Sequence, residues 1–260
     1  MTKFLDDLAN ADEKATIEVV PTYPIAQWHN GRSELEQLGG VAHTGGVVLP
    51  VEYLDEAETK PAQGWTRIKN FRFKNKPKDV LATSTLAVAV VRTRFRWKAK
   101  VNGQTFYSPR STLHKQGMRG NLQLLVAVYG YNFPIVVSFT GVPSQRMDKF
   151  LGDFASTVIT AAQQRVQKRV PFSAFYMKII PGPHEAVGKN GDQSVITPPK
   201  LQLPPPVELT DDYLDRIYVG PQKRKELQEL YYASASWATQ WEKMGINPDN
   251  MPAEPEGEDD

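Results

Sequence analysis

Polar and apolar positions alternate with a period of two along much of the first 180 residues, most sharply in the stretch VVRTRFRWKAKVNGQTFY, Val90 to Tyr107. As a strand it places Arg92, Arg94, Arg96, Lys98 and Lys100 on one face and Thr93, Phe95, Trp97, Ala99 and Val101 on the other. Asn102-Gly103 favours the left-handed angles of a type I′ turn, so the chain is expected to reverse into a partner strand from Gln104. Leu81 to Val91 carries no charge and reads as the buried lead-in to this hairpin. Strand patterns also cover Thr16–Val20, Trp65–Phe73, Leu122–Tyr129, Ile135–Phe139 and Phe172–Ile180.

The period lengthens at Ser144. Met147, Phe150, Leu151, Phe154, Val158, Ile159, Ala162 and Val166 recur at three and four, which predicts one long helix over 144–169, capped by the Ser144 hydroxyl. Arg165, Lys168 and Arg169 suit the negative end of its dipole and need no ligand to explain them. A proline-rich stretch, 181–206, follows and is expected to be a linker. Thr210 then caps a short helix, and Gly220-Pro221 opens a second one through Leu227, Leu230, Tyr231, Ser234, Trp237, Trp241 and Met244, ended by Gly245. The last stretch, 249–260, has six acids and no base and is expected to be disordered. Thr2 to Asn10 is expected to be a loosely held arm.

These elements predict an α+β fold: an antiparallel, strongly bent sheet or OB-like β-barrel, one long packed helix, and a C-terminal helical extension. The expected units are a β-rich core over 1–180, the linker 181–206, the extension 207–248 and the acidic tail 249–260.

Net charge changes the picture through its distribution. The overall value is +2, yet Trp65 to Arg119 holds 14 Lys and Arg against the single acid Asp79. Such segregation points to a polyanionic partner, or to an internal segment that covers the basic one when the partner is absent. No cysteine is present, which excludes disulfides, thiolate metal sites and cysteine nucleophiles. No apolar run approaches the ~20 residues of a membrane span, and the start of the chain has no signal-peptide core. A soluble, cytoplasmic protein without membrane partners is expected, of a bacterium or an infected host cell.

Catalytic motifs are not found. The glycine-rich run Gly39 to Gly46 continues into Val47 where a phosphate loop needs Lys and then Ser or Thr, which favours a tight connection between strands. His29, His43, His114 and His184 lie far apart, with no spacing that sets two imidazoles on one helical face. Asp148 and Asp153 are five apart on the predicted helix and share no face well. No catalytic residue, metal or cofactor is therefore expected.

Single-stranded nucleic acid needs cations that track phosphates and flat side chains on which bases stack. Candidate cations are Arg67, Lys69, Arg92, Arg94, Arg96, Lys98, Lys100, Arg110, Lys115 and Arg119; candidate stacking rings are Trp65, Phe71, Phe73, Phe106, Tyr107, Tyr129 and Tyr131. Phe95 and Trp97 lie opposite the cation row and are expected in the core. One exposed cation on a strand is ordinary. Five on one face repel one another unless something offsets them.

The arrangement of RTRFRWKAK (Arg92 to Lys100), the basic loop with Arg110, Lys115 and Arg119, and the tail EPEGEDD (Glu254 to Asp260) resembles the single-stranded DNA-binding proteins of phages and mobile elements. The resemblance implies sequence-independent binding of single-stranded DNA in replication or recombination, with RNA as the alternative ligand. It also implies that the acidic tail competes for the basic groove or recruits replication and recombination proteins. A homo-oligomer is compatible with either role. The rival reading is a structural or assembly protein whose basic face meets an acidic neighbouring subunit, which the proline-rich segment and the tryptophan-bearing helix fit.

Overall fold

A computed structural model describes residues 20–30, 45–73, 76–101, 104–110, 117–187, 194–203, 205 and 209–243. The expectations for the arm 2–10, the strand 16–20 apart from Val20, the turn 102–103, Lys115 and the tail 249–260 lie outside the described residues. In chain order the strands are β1 (Ile25–Asn30), β2 (Gly45–Pro50), β3 (Thr66–Phe73), β4 (Lys76–Thr83), β5 (Leu86–Val101), β6 (Gln104–Pro109), β7 (Arg119–Val128), β8 (Pro134–Thr140), β9 (Met177–Pro181), β10 (Glu185–Val187), β11 (Ser194–Ile196) and β12 (Pro199–Leu201). The α-helices are α1 (Val142–Phe154), α2 (Thr160–Val166), α3 (Asp211–Ile217), α4 (Pro221–Ala233) and α5 (Ala235–Lys243).

Ten strands form one sheet in the order β12-β9-β5-β7-β8-β1-β2-β4-β3, with β6 paired to the distal half of β5. The pairs are antiparallel except β1 with β8. The fold is thus α+β with a large, mostly antiparallel sheet, but the sheet does not close into the expected OB-like barrel. Its ends explain why. One is the three-residue β12, opening on Pro199, which has no N–H to donate; the other is β3, whose exposed Arg67 and Lys69 blunt an edge.

The Pro-rich stretch is not only a connection. β10 and β11 pair with each other inside it, and β12 pairs with β9 in the main sheet. The glycine-rich run ends in β2, where a Cβ on Gly46 would collide with the Thr83 carbonyl oxygen, so glycine serves close strand contact there.

The expected single helix is interrupted. Between α1 and α2 the residues Ala155–Ile159 form a π-helical turn. Ser156 and Thr157 hydroxyls donate to the Asp153 carbonyl and Thr160 to that of Ala155, so side chains compete with the regular ladder there. The start also differs from the expected Ser144 cap. The helix begins at Val142 after Gly141, and the Ser144 hydroxyl donates to the Gly141 carbonyl at 2.7 Å instead of accepting a helical N–H. Gln167, with φ of 50°, ends the rod at Val166.

The main core lies between one face of the sheet and the α1–α2 rod, with Leu86, Val88, Val90, Leu122, Leu124, Val126, Met147, Phe154 and Val158 nearly inaccessible. A second core on the opposite face contains Ala89, Val91, Leu125, Ala127 and Val136 beneath Leu227 and Trp237 of the C-terminal helices. β5 therefore runs between two apolar layers, and its charged half has to be reconciled with both.

A β-bulge at Val91 does this. Val90 pairs with Val126 of β7, and the next partnered residue is Arg92, with Leu125. Val126 faces the main core and Leu125 the second. The extra residue flips the alternation, so the even positions Leu86, Val88 and Val90 point into the main core while Arg92 joins Val91 on the other side. Were Val91 accommodated by strict alternation instead of a bulge, the arginines would enter the apolar layer under α1.

Candidate nucleic-acid interface

The cation face of β5 is covered in its inner half by α4 and α5. Thr210 caps α3 by accepting from the Tyr213 amide, and α4 starts at Pro221 after Gly220, as the pattern predicts. The second helix, however, breaks at Ser234, whose hydroxyl donates to the Leu230 carbonyl. The break leaves the carbonyls at the end of α4 to be met by Ser234 and by a side chain from β5. Arg92 occupies this end: its Nε and Nη2 donate to the Tyr231 carbonyl at 2.8 and 2.6 Å, and its guanidinium carbon lies 3.8 Å from the Tyr231 ring centre.

Past Arg92 the face alternates cations with rings. Arg94 lies 4.0 Å from the Trp237 ring and 4.3 Å from Trp241; Arg96 lies 3.9 Å from Trp241 and 3.6 Å from Tyr107. The order along the stack is Trp237, Arg94, Trp241, Arg96, Tyr107. Two periodicities make it fit: residues four apart on a helix rise ~6 Å, and residues two apart on a strand rise ~6.6 Å. Arg94 also donates to Gln123 Oε1 from both Nε and Nη2, and to the Trp237 carbonyl and Gln240 Oε1 from Nη1. Burial lowers its pKa to about 10, with the neighbouring Arg96 charge adding to the effect, so it is still a cation at neutral pH. Burial lowers that of Arg96 too, against the opposing influence of Tyr107. Arg96 Nε is buried with no hydrogen-bond acceptor among the described residues. Aromatic faces are what this guanidinium has in place of one.

Beyond Trp241 the same face is uncovered by the described helices. Lys98 is in register with Tyr107 on β6 and Arg119 on β7, and Lys100 with Thr105. Lys100 and Arg119 are exposed, Lys98 and Tyr107 half-buried. No Asp or Glu occurs from Val80 to Met147, so these strands contribute no carboxylate to the strip. Gly120, next to Arg119, has no room for a side chain: a Cβ would lie 3.0 Å from the Phe95 ring and against Ser144 Oγ.

The other candidates are scattered. Arg67 and Lys69 sit on β3, with five strands between it and β5, and Arg67 is paired with Asp79 at 3.2 Å. Arg110 is held by Asp148 of α1 at 2.7 Å, on the Phe95 side of the sheet. Trp65, Phe71, Phe73 and Tyr131 are buried and present no free ring face, which corrects their reading as stacking platforms. Their alternation marked a core face: Phe71 and Phe73 pack with Val48, Val80 and Ala82, and Trp65 meets Tyr131 edge-on at 5.5 Å. Phe106 pairs with Ala99 on the face opposite the cations. Tyr129 is 63 % exposed but stands at the far end of β7, edge-on to Tyr176. Tyr107 alone of the seven rings stands among the β5 cations.

Sequence reasoning missed Tyr231, Trp237, Gln240, Trp241 and Gln123 as partners of the row. A signal existed in the i, i+4 spacing of Trp237 and Trp241 on a helix otherwise rich in polar residues. Among the described residues no group of three His, Asp or Glu is placed to hold a metal ion, and no helix is long and apolar enough to cross a membrane. No family model matches this chain, and neither a curated protein nor a solved structure was found that does.

Proposed function

We propose that this protein binds single-stranded nucleic acid without sequence selection, along the outer part of the cation face. The observation that carries the reading is the acid-free strip Lys98, Lys100 and Arg119 beside the Tyr107 ring, contiguous with the arginine stack. Phosphates follow the three outer cations, and a base stacks on Tyr107. DNA in replication or recombination is the preferred ligand class, with RNA as its competitor. The inner arginines have a different task, because their guanidinium faces are covered by rings of α4 and α5 and Arg92 and Arg94 donate to carbonyls of those helices. They fasten the C-terminal helices to the sheet. The chain leaves α5 beside this face, and the acids of 249–260 follow, which supports competition between tail and ligand.

The test is titration of a labelled oligothymidine at two salt concentrations, with oligouridine in parallel. Three neutralised phosphates give a log–log salt slope of about −2, at about −0.7 per phosphate. Indifference to both oligonucleotides at low salt, together with a discrete oligomer in light scattering, would favour the assembly reading instead.

A further inference from the structure

The α1–α2 rod ends where two other segments meet it. Gln167 adopts left-handed angles and its N–H closes on the Gln163 carbonyl, so the helix stops at Val166. The chain then runs through Val170 and Pro171 into the short turn Phe172–Ala174. Backbone bonds tie the end of α3 to that turn: the Tyr176 N–H donates to the Ile217 carbonyl at 2.7 Å, and the Val219 N–H to that of Ala174 at 3.0 Å. Helix end, turn and α3 together enclose a cavity of about 590 Å³. Small-molecule sites span roughly 300–1,000 Å³.

Its walls are apolar. Ala162, Ala174, Phe175 and Leu214 line it as buried members of the main core, and Val166, the last of the apolar stripe, lines it while 55 % exposed, which marks the mouth. The rim is charged, by Arg165, Lys168, Arg169 and Arg224 with Asp211 and Asp215. Arg165 is already used: it pairs with Asp211 and donates to the Leu209 carbonyl and, at 3.0 Å, to that of Ala161. It also serves the negative end of the helix, whereas Lys168 and Arg169 stand beyond the last turn. Arg224 sits at the positive end of α4, its N–H making a hydrogen bond to the Gly220 carbonyl, and there the dipole disfavours a cation. Lys168, Arg169, Arg224 and Asp215 form no ion pair among the described residues. The rim thus keeps three unspent cations against one carboxylate.

We propose that this cavity binds a small aromatic carboxylate, its ring against Leu214 and Phe175 and its anionic head among Lys168, Arg169 and Arg224. Phe175 and Tyr218, edge-on with ring centres 6.1 Å apart, both line the cavity and offer ring surface to an aromatic body. An anion at the rim offsets the charge surplus that local structure leaves unexplained. None of these residues belongs to the cation face of β5, so the site is independent of the nucleic-acid reading.

The experiment titrates naphthoate into the full-length protein and follows the methyl resonances of Val166 and Leu214. Both are expected to shift saturably, with the uncharged naphthamide binding about tenfold more weakly. Val166→Trp fills the mouth from an exposed position, so the fold is kept and the Leu214 shift is expected to vanish. The triple variant Lys168→Glu/Arg169→Glu/Arg224→Glu should lose about tenfold in naphthoate affinity and keep that for naphthamide. No saturable shift at millimolar naphthoate, or an unchanged Leu214 shift in Val166→Trp, would overturn the site. Equal affinity for the acid and the amide would overturn its selection of an anion.

Discussion

Trp241 lies between two arginines of one strand, its ring centre 4.3 Å from the guanidinium carbon of Arg94 and 3.9 Å from that of Arg96. One helical side chain therefore offsets the repulsion between two like charges and covers their faces, at a point where burial disfavours both. The charge row and the C-terminal helices are parts of one structure, and each explains why the other is tolerated.

Replacing Trp241 with Ala removes the shared ring. The expected loss is about 3–5 kcal/mol in chemical denaturation, the range for truncating a buried Trp. Trp241→Phe should recover much of it, because a smaller aromatic face is still present. Limited proteolysis of Trp241→Ala should cut first within α4 and α5. Unchanged proteolysis would show that the stack does not hold the helices.

Deleting Val91 is expected to leave the protein folded, since Val90 stays opposite Val126 and Arg92 opposite Leu125 in a ladder without the extra residue, the arginines keep their face, and the loss is that of one buried side chain; abolished folding would contradict this reading of the bulge. Val91→Ala keeps the bulge, loses only part of a buried side chain, and should cost about 1–3 kcal/mol. Circular dichroism melts of the two variants make the comparison.

The hairpin, its cation face and most strands were legible in the sequence because a period of two is a local property. The bulge was not: deleting or keeping one valine in an apolar run leaves the pattern equally plausible, and only pairing of Val90 with Val126 and Arg92 with Leu125 reveals it. Trp237 and Trp241 were visible as a helical pair, but their partners lie over 140 residues earlier, a distance no local pattern spans. Phe71 and Phe73 show the converse error. Their interleaving with cations looked like a binding surface, and it marked an amphipathic strand with its rings inside.

Gly120→Ala places a methyl group against the Phe95 ring and the Ser144 hydroxyl. Overpacking of this kind costs about 1–3 kcal/mol. Phe95→Leu in the same chain should recover part of the loss, so the double variant is predicted to be more stable than the sum of the singles. Additive losses in urea denaturation would contradict the contact.

The Asp79 carboxyl is held below the ordinary carboxylate range, first by the Asn70 backbone N–H and then by Arg67. A depressed folded pKa contributes stability that is present above the unfolded value of about 3.9 and is lost as pH falls through the folded one. Amide exchange in the β3–β4 hairpin is therefore predicted to accelerate below about pH 4. In Asp79→Asn that acid-dependent step should be absent, while the rest of the sheet behaves as before.

The most direct measurement is oligothymidine affinity against salt for the triple variant Lys98→Glu/Lys100→Glu/Arg119→Glu beside the unmodified chain. The variant is predicted to keep its α4–α5 contacts, as read by tryptophan fluorescence, yet to lose binding and its salt dependence. Unchanged affinity and slope in a folded triple variant would contradict the assignment of the outer strip as the phosphate-tracking surface.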